Sequence, residues 1–342
     1  MKTMIAMWAA SAALVATVGL TPTANAAEFT LRCAHDHPVS GGNEGQRHYE
    51  WQEFKRVVEE KSKGRIEVYV FGASQLGDMP AMVQNMQIGT IDCLSLDAAT
   101  AGPFVAPYAF VATPYLIESR KHADLLMDPN RPFFKEVSAL LKTNLNAIAI
   151  GSASVPPRSV YSRNKPVTKP EDLVGMKVRT MQSPLQIKAW QLLGANPTAI
   201  AFAEVYTALQ TGTVDAAENP AFLVWGMKHY EPVKYFSLTN HMINVGVLSI
   251  SDRAMRKLPA DLQQVVRDAG VAGGIAGRKF AWDMDADFIK RIKDSGVTVV
   301  DNIDVRPFVA KLAPLHDELA KENKAEKLLT IIRAEAVEAR KS

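Results

Sequence analysis

A short phrase occurs twice in this chain. Gln87-Ile88-Gly89-Thr90-Ile91-Asp92 is matched by Gln210-Thr211-Gly212-Thr213-Val214-Asp215 at Gln, Gly, Thr and Asp, with a β-branched residue before each Asp. Each copy reads as the end of a helix, a turn on glycine and the entry to a strand of about five residues. A common way of stopping helices would also produce so short a match by coincidence. The reading that constrains the fold is two α/β lobes built on one plan, each aiming a helix-to-strand joint at the same place. Length agrees, because 342 residues predict two domains at about 100–200 residues each.

The flanking sequence supports the plan. Strands are expected over residues 29–33, 66–70 and 91–96, separated by amphipathic helices over 44–61 (Trp51, Phe54 and Val58 on one face) and around Met79, Met82, Val83 and Met86. Strand–helix–strand–helix–strand is the doubly wound α/β pattern, with parallel strands and ligands at their carboxyl ends. Pro156-Pro157, and the run from Lys165-Pro166 to Lys169-Pro170, mark a crossing between lobes. From Pro259 onward the pattern is mostly helical. Gly270, Gly273, Gly274 and Gly277 fall inside that helical pattern, where tight packing against a neighbour is a better reading than a phosphate loop.

The amino terminus is an address rather than part of the fold. A basic start at Lys2 precedes an apolar run from Met4 to Leu20, a break at Thr21-Pro22-Thr23, and the small-x-small site Ala24-Asn25-Ala26. That is a secretory signal cleaved after Ala26; the run is short for a membrane anchor, and no Cys stands at the cleavage point to carry a lipid. The expected product is an exported, soluble chain. With 47% hydrophobic and 22% charged residues and a net charge of +3, it is neither disordered nor a polytopic membrane protein, and it carries no nucleic-acid footprint. Cys33 and Cys93 are its only cysteines. An oxidising compartment would let them pair, and two buried thiols are the equal alternative.

Motifs for phosphate, dinucleotide, zinc and serine-hydrolase chemistry are absent, so no cofactor is expected. His35-Asp36-His37 could offer two imidazoles to a metal but shows no third ligand, and the rim of a cleft is the preferred reading; no metal is expected. What is present is a set of anion-binding candidates at strand ends. These are Arg158 after Pro156-Pro157, Arg179 closing Met176-Lys177-Val178-Arg179, and Asn219 in Glu218-Asn219-Pro220. Two guanidinium groups and an amide make a carboxylate clamp, through parallel charge-assisted hydrogen bonds.

Those segments carry a resemblance. Ser74-Gln75-Leu76-Gly77-Asp78, Asp172 through Arg179, and the run from Phe202-Ala203-Glu204-Val205-Tyr206 to Glu218-Asn219-Pro220 resemble the solute-binding proteins of TRAP transporters, the DctP-like family, in order and spacing over nearly the whole mature chain. The resemblance implies a two-lobe, Venus-flytrap periplasmic receptor with each sheet flanked by helices. It would close on an organic anion and deliver it to a permease of small and large membrane subunits driven by an ion gradient. Lobe I is expected over 27–154 plus about 245–284, lobe II over 155–244 plus about 285–342, and the protein is expected to be a monomer and not an enzyme. Arg179 would form the bidentate salt bridge, Asn219 would bond the same end, Arg158 would add a second contact and Phe202 would wall the pocket. Asp97 would face the far end of the ligand, with His35 and Asp36 as further contacts. Two acids opposite the clamp would repel a second carboxylate and accept hydroxyls, which favours a hydroxylated monocarboxylate such as a sugar acid. A C4-dicarboxylate, a keto acid or a sulfonate are the alternatives. A secreted hydrolase or lyase, or a sensor feeding a histidine kinase, are the alternatives of other classes.

Overall fold

The computed structural model describes residues 26–39 and 44–341, so the expected signal segment up to Asn25 lies outside the described residues. In chain order the strands are β1 (Phe29–Ala34), β2 (Ile66–Phe71), β3 (Cys93–Asp97) and β4 (Ala147–Ser154). They continue as β5 (Arg158–Ser162), β6 (Lys177–Thr180), β7 (Asn196–Ala199), β8 (Ala216–Asn219), β9 (Tyr235–Met242), β10 (Val245–Ser251) and β11 (Thr298–Val300). They form two sheets, ordered β2-β1-β3-β10-β4 and β11-β9-β5-β8-β6-β7, both flanked by helices.

The repeated phrase is one device used twice. Gly89 and Gly212 both end helices in the left-handed conformation, at φ 82° and 77°. Asp92 Oδ2 then accepts from the backbone N–H of Arg32 at 3.0 Å, while Arg32 Nη2 donates to the carbonyl of Gly89 at 2.9 Å. In the second copy Asp215 Oδ2 accepts from the N–H of Lys177 at 3.0 Å, and Lys177 Nζ donates to the carbonyl of Gly212 at 3.0 Å. A basic residue on the neighbouring strand thus caps the helix end, and the Asp fixes the register of the strand it enters.

The strands are not all parallel, as the doubly wound pattern predicted. β10 runs antiparallel to β3 and β4, and β5 runs antiparallel to β8 and β9. These two strands are the ones the chain enters directly from the other sheet. Residues 155–157 link β4 to β5, and residues 243–244 link β9 to β10. A strand that arrives without a helical crossover runs against neighbours that were returned by helices. The two links are tied together by Val155 N–H donating to the carbonyl of Asn244 at 3.1 Å. Pro156 and Pro157 therefore mark a crossing, whereas Pro166 and Pro170 lie in the connection between β5 and β6, within the second sheet.

A third crossing is the helix Ala260–Asp283. Its Leu262, Val266 and Ala269 pack in the core of the first sheet with Trp51 and Phe54 of α1 (Gln46–Lys61), and its Ala281 packs with Phe222 and Phe236 of the second. Its glycines are sites of close approach: a Cβ on Gly274 would sit 2.3 Å from the carbonyl oxygen of Ser152, and one on Gly270 at 2.3 Å from that of Ile150. Gly274→Ala should therefore cost at least about 1–3 kcal/mol, the usual penalty of overpacking, because backbone cannot swing aside. Urea denaturation of the variant measures this, and an unchanged midpoint would contradict it.

The carboxyl-terminal helices depart from expectation. Leu319, Leu328, Leu329 and Ile332, placed by the sequence reading in lobe II, pack with Leu126, Phe133 and Val137 in the core of the first sheet. Their apolar face matches a surface that the helices before β4 leave open. His122 Nε2 meets the carbonyl of Ile332 at 3.0 Å across that contact. Residues further upstream, Phe308 and Leu312, do belong with Val160 and Val178 of the second sheet. Cys33 and Cys93 stand opposite one another on β1 and β3, both buried and both free thiols.

Candidate functional site

A cavity of about 320 Å³ lies between the sheets. It opens on the carboxyl ends of β1, β3, β6 and β8 and on the amino ends of the reversed strands β5 and β10, where a ligand would meet side chains of both sheets. Arg158, Arg179, Asn219, Phe202, Asp97 and Asp36 all line it.

Arg179 is 2% exposed. Its Nε and Nη2 donate to the carbonyl of Ile200 at 2.9 and 2.8 Å, which fixes the plane of the guanidinium. Its Nη1 is buried and has no hydrogen-bond partner, and no carboxylate pairs with it among the described residues. Burial pulls its pKa below the ordinary arginine value. A charged donor held in this way has the chemistry to receive an anion.

Arg158 behaves differently. Its Nε donates to Glu218 Oε2 at 2.5 Å, and its Nη2 donates to Glu218 Oε1 at 2.8 Å and to Asn219 Oδ1 at 2.7 Å. The register explains the pairing, since Val160 of β5 stands opposite Glu218 of β8, and Ser159 opposite Asn219. Burial would raise the Glu218 carboxyl, but Arg158 and His241 outweigh it and hold it at about 2. Arg158 is thus largely spent inside the protein, neutralising Glu218 and orienting Asn219. Asn219 Nδ2 in turn donates to the Tyr161 hydroxyl at 2.8 Å. Phe202 sets its ring 6.3 Å from that of His37 and 5.9 Å from that of His229, an apolar wall with aromatic neighbours.

On the opposite wall the sequence reading missed a residue that changes the electrostatics. Arg47, near the start of α1, donates through Nη1 to Asp36 Oδ1 and through Nη2 to Asp97 Oδ2, both at 2.5 Å. Asp36 and Asp97 are therefore not two free charges but two acids sharing one guanidinium, with a formal total of −1. Burial opposes the charge on Arg47, and the two carboxylates more than compensate, raising its pKa. Asp97 also accepts from the N–H of Thr100 at 3.0 Å. Glu50, one turn further along α1, lines the cavity as well.

His35 does not line the cavity. Past the end of β1, Asp36 and His37 both reach the cleft and His35 lies behind them, fully buried, with its ring under Gly72 and 6.0 Å from that of His48. His37 takes the lining position, and its Nδ1 accepts from the N–H of Arg47 at 3.2 Å. Burial, then Arg47, holds His37 well below its usual pKa, so it faces the cleft as a neutral ring. No group of three or more metal-ligating side chains occurs among the described residues. The signal for Arg47 was weak, because an arginine in the first turn of an amphipathic helix reads as solvated. Glu218 was more legible: a carboxylate inside the apolar strand Ala216–Asn219 demands a cation on the neighbouring strand.

The family described as bacterial extracellular solute-binding protein, family 7, matches residues 42–323. The 2,3-diketo-L-gulonate-binding periplasmic protein YiaO of Escherichia coli is 30% identical over 265 residues, covering 76% of this chain and 79% of the relative. Among solved structures, a TRAP periplasmic solute binding protein from Sulfitobacter sp. with bound β-D-galacturonate matches with a TM-score of 0.83 at 29% identity, covering 89% of this chain and 99% of that one. A TRAP periplasmic solute binding protein from Polaromonas sp., bound to D-erythronate, matches with a TM-score of 0.83 at 28% identity, covering 89% and 98%.

Proposed function

Because this chain belongs to the bacterial extracellular solute-binding proteins of family 7, and its structural neighbours are TRAP periplasmic receptors, we propose that it captures a sugar acid and hands it to a TRAP permease. The observation that carries the reading is Arg179: a buried, cavity-lining guanidinium with no carboxylate partner and an unbonded Nη1. The ligand carboxylate lies against the Nη1–Nη2 end of Arg179, beside the amide of Asn219, with the ring or chain of the sugar over Phe202. The hydroxyls face Asp36, Asp97 and His37, where acceptors abound and the net charge is negative. A second carboxylate at that end would be repelled even with Arg47 present, which ranks C4-dicarboxylates below sugar acids. Galacturonate and erythronate in the neighbours, and diketogulonate in the curated relative, are of this same class.

The two lobes are residues 27–154, about 245–284 and 316–341 for the first, and 155–244 with about 285–315 for the second. Capture follows from closure about the 155–157 and 243–244 links. A ligand touching both walls binds the closed form better, and only that difference shifts the equilibrium. Gln182 Nε2 already reaches Asp78 Oδ2 across the mouth at 3.0 Å. The chain works as a binder rather than an enzyme, exported with cleavage after Ala26. No described helix is long and apolar enough to cross a membrane, in keeping with delivery to a separate permease.

Differential scanning fluorimetry against a panel of uronates, aldonates, C4-dicarboxylates, keto acids and sulfonates tests the reading. A ligand at 100 times Kd adds about 2.7 kcal/mol of stability, a shift of several degrees. Stabilisation by uronates or aldonates is expected. Stabilisation by succinate or malate alone would sink the substrate assignment, and turnover of a bound acid would favour a secreted enzyme.

A further inference from the structure

The cavity walls, with Glu218 directly behind Arg158, hold three guanidinium groups and four carboxyls. Asp36 and Asp97 share Arg47, and Glu218 holds Arg158. Glu50 is the carboxyl left over. It is fully buried, and its Oε1 accepts from Gln46 Nε2 at 2.7 Å and its Oε2 from the Ser95 hydroxyl at 2.8 Å, both neutral donors. The charged groups facing it are few. On its own helix there is Arg47, whose terminal nitrogens are bound to Asp36 and Asp97; the long helix contributes Arg278. β3 presents Ser95, with Asp97 beyond Arg47. Two more acids, Asp78 and Glu204, line the cavity nearer solvent. The long helix closes over Glu50 from the other side: a Cβ on Gly277 would fall 2.4 Å from its Cγ.

We propose that Glu50 is a proton-linked determinant of affinity, taking up a proton as an anionic ligand enters the cavity. Counting the buried walls alone, three guanidinium groups meet Asp36, Asp97 and Glu218, so the walls are neutral when Glu50 carries a proton and −1 when it does not. An incoming carboxylate makes these totals −1 and −2, and in a buried site the doubly negative state is the costlier. Geometry selects Glu50 to absorb the difference, because the other three acids are each tied to a guanidinium. Burial raises its carboxyl to about 7, with Arg47 pulling the other way, so both forms are populated near neutral pH. The sign follows: ligand binding favours protonated Glu50, and affinity falls as pH rises through 7. In its protonated form Glu50 also gives the cavity an O–H donor for a ligand hydroxyl.

The inference rests on the anion-receptor reading, and its test separates the two. Galacturonate and gluconate are titrated calorimetrically at pH 7 in phosphate and in Tris, whose ionisation heats differ, and again at pH 6 and pH 8. Uptake of a fraction of a proton per ligand is expected, with affinity falling about three- to tenfold from pH 6 to pH 8, up to the tenfold that one pKa unit represents. Glu50→Gln should abolish both the proton uptake and the pH dependence, and Ser95→Ala, which removes a donor to the ionised form, should move the pH dependence upward. A buried charge is removed in Glu50→Gln, so that variant should melt higher than the parent at pH 8. Binding without proton exchange, or exchange that survives in Glu50→Gln, overturns this inference and leaves the receptor reading standing. Failure of both acids to bind overturns both.

Discussion

Arg179→Ala should remain folded and lose sugar-acid binding by at least about 100-fold, and up to about 10,000-fold. Hydrogen bonds to charged groups contribute about 1.5–3 kcal/mol each, and the end of this guanidinium offers two. The anchoring to Ile200 matters as much as the charge, because a fork held by its Nε edge needs little reordering when the carboxylate arrives. Arg179→Lys should lose most of the same affinity: one ammonium cannot bind Ile200 and two carboxylate oxygens in one plane. Stability moves the other way. Burial already disfavours the charge on Arg179, so the alanine variant should melt no lower than the parent when both are free of ligand. Calorimetric titration with galacturonate and a thermal melt check both parts; parental affinity in either variant would remove Arg179 from the site.

Glu218→Ala should be the most destabilising change in the site, at about 3–5 kcal/mol, because it strands the guanidinium of Arg158 in a buried place. Arg158 is 4% exposed and Glu218 fully buried, so neither can turn to water. The loss carries a pH signature. The Glu218 carboxyl is held at about 2 instead of its usual 4.5, so its contribution is fully present above about 4.5 and disappears as pH falls toward 2. The difference in stability between parent and variant should shrink over that window in chemical denaturation. A constant difference would show that the loss comes from packing and not from the ion pair. Arg158, no longer anchored by Glu218, should also hold the amide oxygen of Asn219 less firmly, so ligand binding should weaken in the variant.

Much of this molecule was legible in its residues. The repeated phrase located both helix-to-strand joints, because a left-handed glycine and an Asp that clamps the neighbouring strand are local chemistry with few substitutes. Arg158, Arg179, Asn219, Phe202, Asp97 and Asp36 do converge on one cavity. What sequence could not supply was pairing. Whether an acid is free or shares a guanidinium depends on which side chains meet across a cleft, and Arg47 is 50 residues from Asp97. The same blindness hid the strand reversals, which follow from direct passage between sheets, and the return of the carboxyl-terminal helices to the first sheet. His35 was misassigned for a simpler reason: β1 ends at Ala34, so strand alternation no longer says which of the next three side chains faces the cleft, and His35 packs under Gly72.

A carboxylate on a hydroxylated ligand is what this cavity should select. Side-by-side calorimetric titration with galacturonate, galactose and succinate tests it most directly. Galacturonate should bind at least about 100-fold tighter than galactose, which lacks the anion for Arg179, and well above succinate, whose second carboxylate meets Asp36 and Asp97. Succinate binding tighter than galacturonate, or galactose binding as well as its acid, would contradict the account.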